Sequence, residues 1–387
     1  MSGSRDSSSG SPRNVAIILL GLVVLAFNSV AEDATDQNGR SVFVKAVKVG
    51  QPTLKRWPAG NPLNSMPRSV WDMRLFRNRI YIGSGDYWNN KGPVDIWSLG
   101  PDGFLRECTV PDEMVYRFFE ADGKLVVPGA DPREDWSFGN LYVKDGGREQ
   151  DHGWKKLRTI PKALHVFDFA LLKGKWYVVA STRKNQVVYA SPDQGRTWKA
   201  LPVEAGGMLG FNEFILLTCL RGTTLFDGEK SERVAVRLFP PENRLQPVLK
   251  SEAFLDGVVY VTGCSWMMEG PQPLYYLTAS AARSGGSAVR VERFKDDLVR
   301  NVVVRDRVCY VMTAERIGPD AEDCRARIYL SGDLKDWAKV VEVALPGLPY
   351  SFEYDGRNFY VGLGFRNVGD KGWNAVGEES GSIWRIE

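Results

Sequence analysis

Along most of the chain, apolar and polar residues alternate with a period of two, interrupted every few residues by Gly, Asp or Asn. This is the pattern of short, half-buried antiparallel strands joined by tight turns. One unit recurs: an alternating strand, a tight turn, then a stronger strand rich in β-branched and aromatic residues. It reads WDMRLFRNRIYIGSGD from Trp71, YRFFEADGKLVVPGAD from Tyr116 and HVFDFALLKGKWYVVAS from His165. A weaker copy, GFNEFILLTCL, begins at Gly210. SEAFLDGVVYVTG from Ser251, NVVVRDRVCYVMT from Asn301 and YSFEYDGRNFYVGLG from Tyr350 complete seven. Tyr81 and Tyr360 stand six repeats apart, about 46 residues per unit.

Each unit is followed by a third strand and usually a fourth, as in VDIWSLG then FLRECTV, or RIYLSGD then WAKVVEV. Four short antiparallel strands every ~40–50 residues form one blade of a β-propeller, so the pattern predicts an all-β, seven-bladed propeller. A two-sheet sandwich offers no place for a seven-fold repeat. The seventh unit ends at SIWRIE, its third strand, whereas Ser41 to Val49 (SVFVKAVKV) precede the first unit as a strand without a blade. That strand is expected to supply the missing outer strand and close the ring, removing an exposed edge. The propeller then spans residues 41–387 as one domain, behind a flexible linker at 32–40.

Ahead of the linker, Val15 to Phe27 is an uninterrupted apolar run. A polar start with Arg5 and Arg13 precedes it, and small residues at Ser29 and Ala31 follow. This reads as a secretory signal peptide over residues 1–31. The run falls short of the ~20 residues that span hydrocarbon, so a membrane anchor is the lesser reading. The expectation is a secreted or periplasmic protein with no integral membrane segment in its mature chain.

Charge is nearly balanced, 50 basic residues against 47 acidic, which argues against a nucleic-acid binder with its concentrated basic stripe. There are five cysteines, so at least one stays unpaired within the chain. Cys264 and Cys324 are expected on one face of adjacent blades, where a disulfide is a candidate. With no CxxC and only His152 and His165, a Cys/His zinc site is unsupported. Neither a metal nor another cofactor is expected, and the chain is read as a monomer. Phosphate-cradling glycine loops, HExxH, GxSxG and EF-hand loops are absent from the sequence.

Ser191 to Trp198 reads SPDQGRTW, which matches the Asp-box pattern SxDxGxTW; Ser331 to Trp337 is a degenerate second copy with Asp336 in place of Gly, and Asp145-Gly146-Gly147 with Gly153-Trp154 a looser third. In these residues the chain resembles the Asp-box (BNR-repeat) β-propellers, the broad sialidase-like group. The resemblance implies the propeller architecture across roughly residues 41–387. Sialidase activity is not implied: Met73-Arg74-Leu75 stands where Arg-Ile-Pro is expected, and no trio of arginines can be assigned by motif. Segments around Tyr81 to Asp86 and His165 to Asp168 also look like uncharacterised exported bacterial propellers.

In antiparallel blades the turns from strand one to two and from three to four share one face. The loops from two to three and from blade to blade share the other. That second face collects SGDYWNNKGP, GADPREDWSFGN, CSWMMEGPQP, AERIGPDAEDC and FRNVGDKGWN. Such loops bring Asp, Glu, Arg and Trp to one mouth, where aromatics stack on sugar rings and arginine pairs with anionic groups. His165, opening the inner strand of blade three, is the candidate general acid or base; its bland alternative is a histidine bonded to neighbouring strands. Asp86 and Asp131 are candidate carboxylate partners, with turn capping the plainer role for Asp131 before Pro132. Tyr116 is the candidate partner of His165 in an elimination. Arg117 and Arg133 would orient an acidic sugar, unless they pair with Glu120 or Glu134. Trp88, Trp266 and Trp373 would stack on it, with Glu269 and Arg366 as further polar contacts. The functional expectation is an exported protein acting on an extracellular acidic glycan, a glycoside hydrolase or polysaccharide lyase. The alternative is a propeller that binds glycan or protein without turnover.

Overall fold

The computed structural model describes residues 45–86, 88–146, 153–219, 222–239, 248–262, 271–317, 323–367 and 375–387. The signal-peptide and linker expectations fall outside these residues. The alternating segments form seven four-stranded antiparallel sheets. Blade one runs through Asp72–Phe76, Arg79–Gly83, Val94–Gly100 and Gly103–Val110. Blades two to six follow with inner strands Phe119–Ala121, His165–Leu172, Gly207–Gly210, Val248–Phe254 and Leu298–Arg305. Within each of these sheets the strands pair in sequence order.

Blade seven departs from that order in the way the incomplete seventh repeat demands. Leu348–Tyr354, Phe359–Gly364 and Ile383–Ile386 are followed in space by Ala46–Gly50, which pairs antiparallel with the last strand from Ala46 opposite Ile386 to Gly50 opposite Ile383. The first and last strands therefore satisfy each other's backbone groups, and the ring is closed by joining both ends of the propeller in one blade, with Ala46–Gly50 as its outer strand.

Neighbouring sheets pack face to face through apolar side chains. Val126 and Leu141 of blade two meet Val166, Phe169 and Val178 of blade three, around Trp176. Val303, Tyr310 and Ile328 of blade six meet Phe352, Val361 and Leu363 of blade seven. Each such buried side chain contributes about 1.5–3 kcal/mol, so the wedge between blades is the main store of stability.

Along the axis the inner strands are polar, and their charges work as fasteners. Asp72 accepts the backbone N–H of Phe118, Asp168 that of Met208, and Glu353 that of Leu75. Each ties its own blade to the next. Cations complete the set: Lys250 pairs with Asp72 at 2.5 Å, Arg74 with Glu252 at 2.8 Å, and Arg305 with Glu353 at 2.8 Å. A bulge recurs at one level of four inner strands, where the register shifts at Phe167, Leu249, Arg300 and Tyr350. Bulges re-aim side chains. Here Leu249, Arg300 and Tyr350, with Trp71, Tyr116 and Arg117, line a void of about 20 Å³, room for a single water.

On the face opposite the mouth, the turns after the third strands of blades three and six are each tied by a Ser and an Asp side chain that accept backbone N–H groups, four residues on in the first and three or fewer in the second. Ser191 Oγ accepts the Gly195 N–H, Asp193 accepts the Thr197 N–H, and positive φ falls on Gln194 and Gly195. In the second turn Ser331 Oγ accepts the Leu334 N–H, and Leu334 takes the positive φ. These turns are remote from the mouth.

Removing residues 1–50 takes away the closing strand and exposes the last one. The truncated chain is expected to melt about 10 °C or more below the full chain, read by circular dichroism; an unchanged melt would show that the closing strand adds nothing.

Candidate functional site

Blades one, two and three are joined at the mouth by backbone bridges beyond the blade ladders. Gly85 pairs with Met114, Met114 with Ala130, and Ala130 with His165. The Asp86 N–H donates to Glu113 O, the Glu113 N–H to Ala130 O, and the Asp131 N–H to Leu164 O, at 2.9, 3.0 and 3.1 Å. Gly85 permits this approach: with φ at 135°, its missing Cβ would lie 2.3 Å from Met114 Cα. The result places Glu113, Asp131 and His165 together, each offering one donor atom within 4.8 Å of the others.

Glu113 is the centre of this cluster. It is 1% exposed, and neither carboxylate oxygen has a hydrogen-bond partner. Burial, followed by the charges of Asp131, Asp86 and Asp112, pushes its carboxyl up to about 9. His165 Nδ1 stands 3.9 Å from Glu113 Oε1. Burial lowers the imidazole, against the pull of Asp131. With the acid raised and the base lowered, the contact at neutral pH is between a protonated carboxyl and a neutral ring, not an ion pair. Such a cluster can pass a proton or close on a cation, with the same atoms in either use.

The neighbouring carboxylates are already occupied. Asp86 is fully buried and accepts the backbone N–H groups of Trp88 and Asn89 and the Asn89 side chain, all at 2.9 Å. It caps its loop and is not open to a substrate. Asp112 accepts from the Tyr142 hydroxyl and from Asn140; burial nevertheless pushes it up to about 6.

Of the residues singled out in the sequence, His165 and Asp131 come together at the cluster. Tyr116 does not join them; it packs against Trp71 at 6.0 Å, beside the bulged Arg300 and Tyr350. Arg117 is buried in the axis, where it faces Asp168 at 3.4 Å and Ser251 at 3.5 Å. Arg133 is exposed and donates to Asn90 O at 2.8 Å, tying the loops of blades one and two. Trp88 lies exposed at the mouth. Arg366 is half-buried in a two-residue ribbon with Ala375–Val376, where its charge, like those of Arg300 and Arg316, acts on Cys324. Trp266, Glu269, Trp373, Cys264 and His152 lie outside the described residues, so the candidate disulfide and those contacts have no structural account.

Glu113 was not singled out, and neither were the aromatics around it. Trp136 and Phe138 stand at the mouth end of blade two, and Phe167 is the bulged residue of blade three, its ring stacked on His165 at 5.6 Å. With Trp88, these are the exposed phenylalanine and tryptophan side chains among the described residues. All four sit on the mouth face of blades one to three. A signal for Glu113 did exist: Asp112-Glu113 interrupts an apolar run between Val110 and Val115, with no basic residue beside it.

The pH dependence of stability follows from Glu113. Below its unfolded value both states carry the proton. As pH rises toward about 9, the unfolded chain releases it while the folded chain holds it, so stability is lost across that window. Glu113→Gln removes this loss. In EDTA, the variant should gain on wild type by a few kcal/mol between pH 5 and pH 8.5 in denaturant titrations. A constant difference across that range would contradict the raised carboxyl.

Among the described residues, no helix is long and apolar enough to cross a membrane. No protein-family model matches the chain, and no curated protein matches it. Several solved structures resemble it at a distance. The AfRom2 CNH domain shares 9% identity over 89% of this chain and 99% of that one, with a TM-score of 0.44. An α-L-arabinanase of Penicillium chrysogenum, solved with arabinobiose, shares 14% over 89% and 98%, at 0.43. An α-L-arabinofuranosidase of Fusarium graminearum, solved with an iminosugar inhibitor, shares 11% over 83% and 93%, at 0.42. Likeness at this level is too distant to carry chemistry across.

Proposed function

We propose that the protein is an exported, carbohydrate-active enzyme of the Asp-box propeller group, which binds an acidic glycan across the mouth of blades one to three and cleaves it over the Glu113–Asp131–His165 cluster. The observation that carries this reading is the placement of the exposed aromatics. Trp88, Trp136, Phe138 and Phe167 stay exposed on the one face that also holds a buried, unpaired carboxylate. Flat apolar rings beside polar groups suit sugar faces and their hydroxyls. Arg183, stacked on Trp136 at 4.5 Å, and Arg133 on the same rim offer positive charge to a uronate or sulfate. Arg117, held by Asp168, is left to the scaffold. Export rests on the apolar run at Val15 to Phe27 and its small-residue exit.

The test is a screen of acidic polysaccharides that reads new reducing ends and, separately, the ultraviolet absorbance of unsaturated uronate. Turnover is expected with one of the two signals, which also decides between hydrolysis and elimination. His165→Ala and Asp131→Asn should each lower kcat about a hundredfold or more. Trp136→Ala should raise KM about tenfold with kcat nearly unchanged. Saturable binding without turnover would replace the enzyme by a glycan-binding module. Wild-type rates in His165→Ala would remove the cluster from the reaction.

A further inference from the structure

We propose that Glu113, Asp131 and His165 form a binding site for a divalent first-row cation, Zn²⁺ or Mn²⁺. Their donor atoms already lie within 4.8 Å of one another. A cation bound at ~2.1 Å by each would bring them to about 3–4 Å apart, a closure of roughly 1 Å that the half-buried side chains of Asp131 and His165 can supply. The backbone beneath them is fixed by the bridges from Met114 to Ala130 and from Ala130 to His165, so the three ligands are held near one point before any ion arrives.

A second observation points to a ligand independently of that clustering. Glu113 is buried, yet both of its carboxylate oxygens lack a hydrogen-bond partner. Among the described residues no lysine or arginine stands within ion-pairing distance of it; its close titratable neighbours are His165 and Asp131, neither of which donates to it. The other buried carboxylates nearby have donors, Asp86 from backbone N–H groups and the Asn89 side chain, and Asp112 at its Oδ2 from Tyr142 and Asn140; Glu113 has a donor at neither oxygen. A buried carboxylate with no donor is costly to the fold. A cation would satisfy it where the protein supplies nothing.

The donor set selects the ion. One imidazole and two carboxylates suit borderline first-row cations, whereas Ca²⁺ seeks six to eight oxygens. Three protein ligands leave coordination positions open, and the His165 side chain, 29% exposed, borders the mouth. Water or a substrate oxygen would complete the shell, the arrangement of reactive rather than closed structural sites. This inference goes beyond the glycan reading, since the triad would take its ion with no glycan present.

The experiment is calorimetric titration of the full chain with ZnCl₂ and with MnCl₂, the protein purified without a histidine tag and stripped with EDTA. One site per chain is expected, with a micromolar or tighter Kd. Glu113→Gln and Asp131→Asn should each weaken it at least about tenfold, and His165→Ala should weaken Zn²⁺ more than Mn²⁺. His152→Ala should leave it unchanged. Absence of binding, or unchanged binding in both carboxamide variants, overturns the site. Thermal melts check folding, and if Glu113→Gln does not fold, Asp131→Asn decides alone. The two readings fail separately: stoichiometric Zn²⁺ binding without glycan turnover sinks the enzyme reading alone. Turnover in EDTA with no Zn²⁺ binding sinks the cation alone.

Discussion

A carboxylate buried without a partner is the constraint from which the site of this protein follows. The main chain that carries Glu113 is pinned on both sides. Its N–H is committed to Ala130 and its carbonyl to Asp86, so the residue cannot swing out to solvent without breaking the stitching between blades one and two. Gly85 lets that stitching form, because any side chain there would strike Met114. The fold thus fixes in place a group that, judged by its own solvation, would leave. Natural structures tolerate few such groups, and those they keep tend to sit where something binds or reacts.

The contrast with the axis is instructive. The inner strands carry at least as much charge as the mouth, yet there each carboxylate has an assigned partner. Asp72, Asp168 and Glu353 each accept a neighbouring blade's N–H while facing a cation. Removing one partner of such a pair costs about 3–5 kcal/mol, because it strands the other charge. Charge at the axis is therefore a structural fastener. At the mouth the Glu113 carboxyl has no donor at either oxygen, and it is this missing partner rather than charge density that separates scaffold from site.

The fold was legible because a repeat announces itself through side-chain alternation, which burial between blades imposes on every copy. The closing strand was legible for a related reason: a seventh unit that stops at Trp384–Glu387 leaves one strand unaccounted for, and Ala46–Gly50 is the segment that can fill it. Within the site, His165 was legible since it opens an inner strand, where the side that a residue faces follows from the ladder, and Asp131 because it lies in the loop that follows the second strand of blade two. Glu113 was much less so: its apolar neighbours Val110, Met114 and Val115 are a hint, but Pro111-Asp112-Glu113 has the composition of a solvated turn. Its burial comes from Ala130 and Gly85, residues of other strands that no local pattern reveals. Arg117 was misleading for the same reason in reverse: its partner Asp168 lies 51 positions away in blade three. Tyr116 likewise reads as a polar neighbour of His165, until the ring is closed and Trp71 takes it.

Where a ligand can go is set by the recurrent bulge. An inner strand in regular register would alternate its side chains between the two faces of its sheet, each packed on a neighbouring blade. The extra residue in blades five, six and seven instead turns Leu249, Arg300 and Tyr350 toward the axis, and with Trp71, Tyr116 and Arg117 they leave a void of about 20 Å³. That is too little for a sugar ring. The same bulge in blade three has a different outcome: Phe167 is exposed and lies along His165 instead of plugging the throat. One backbone device thus fills the centre on one side of the ring and presents an aromatic surface on the other. The exposed rings and the unpaired Glu113 carboxyl lie instead on the rim of blades one to three, outside this narrow void.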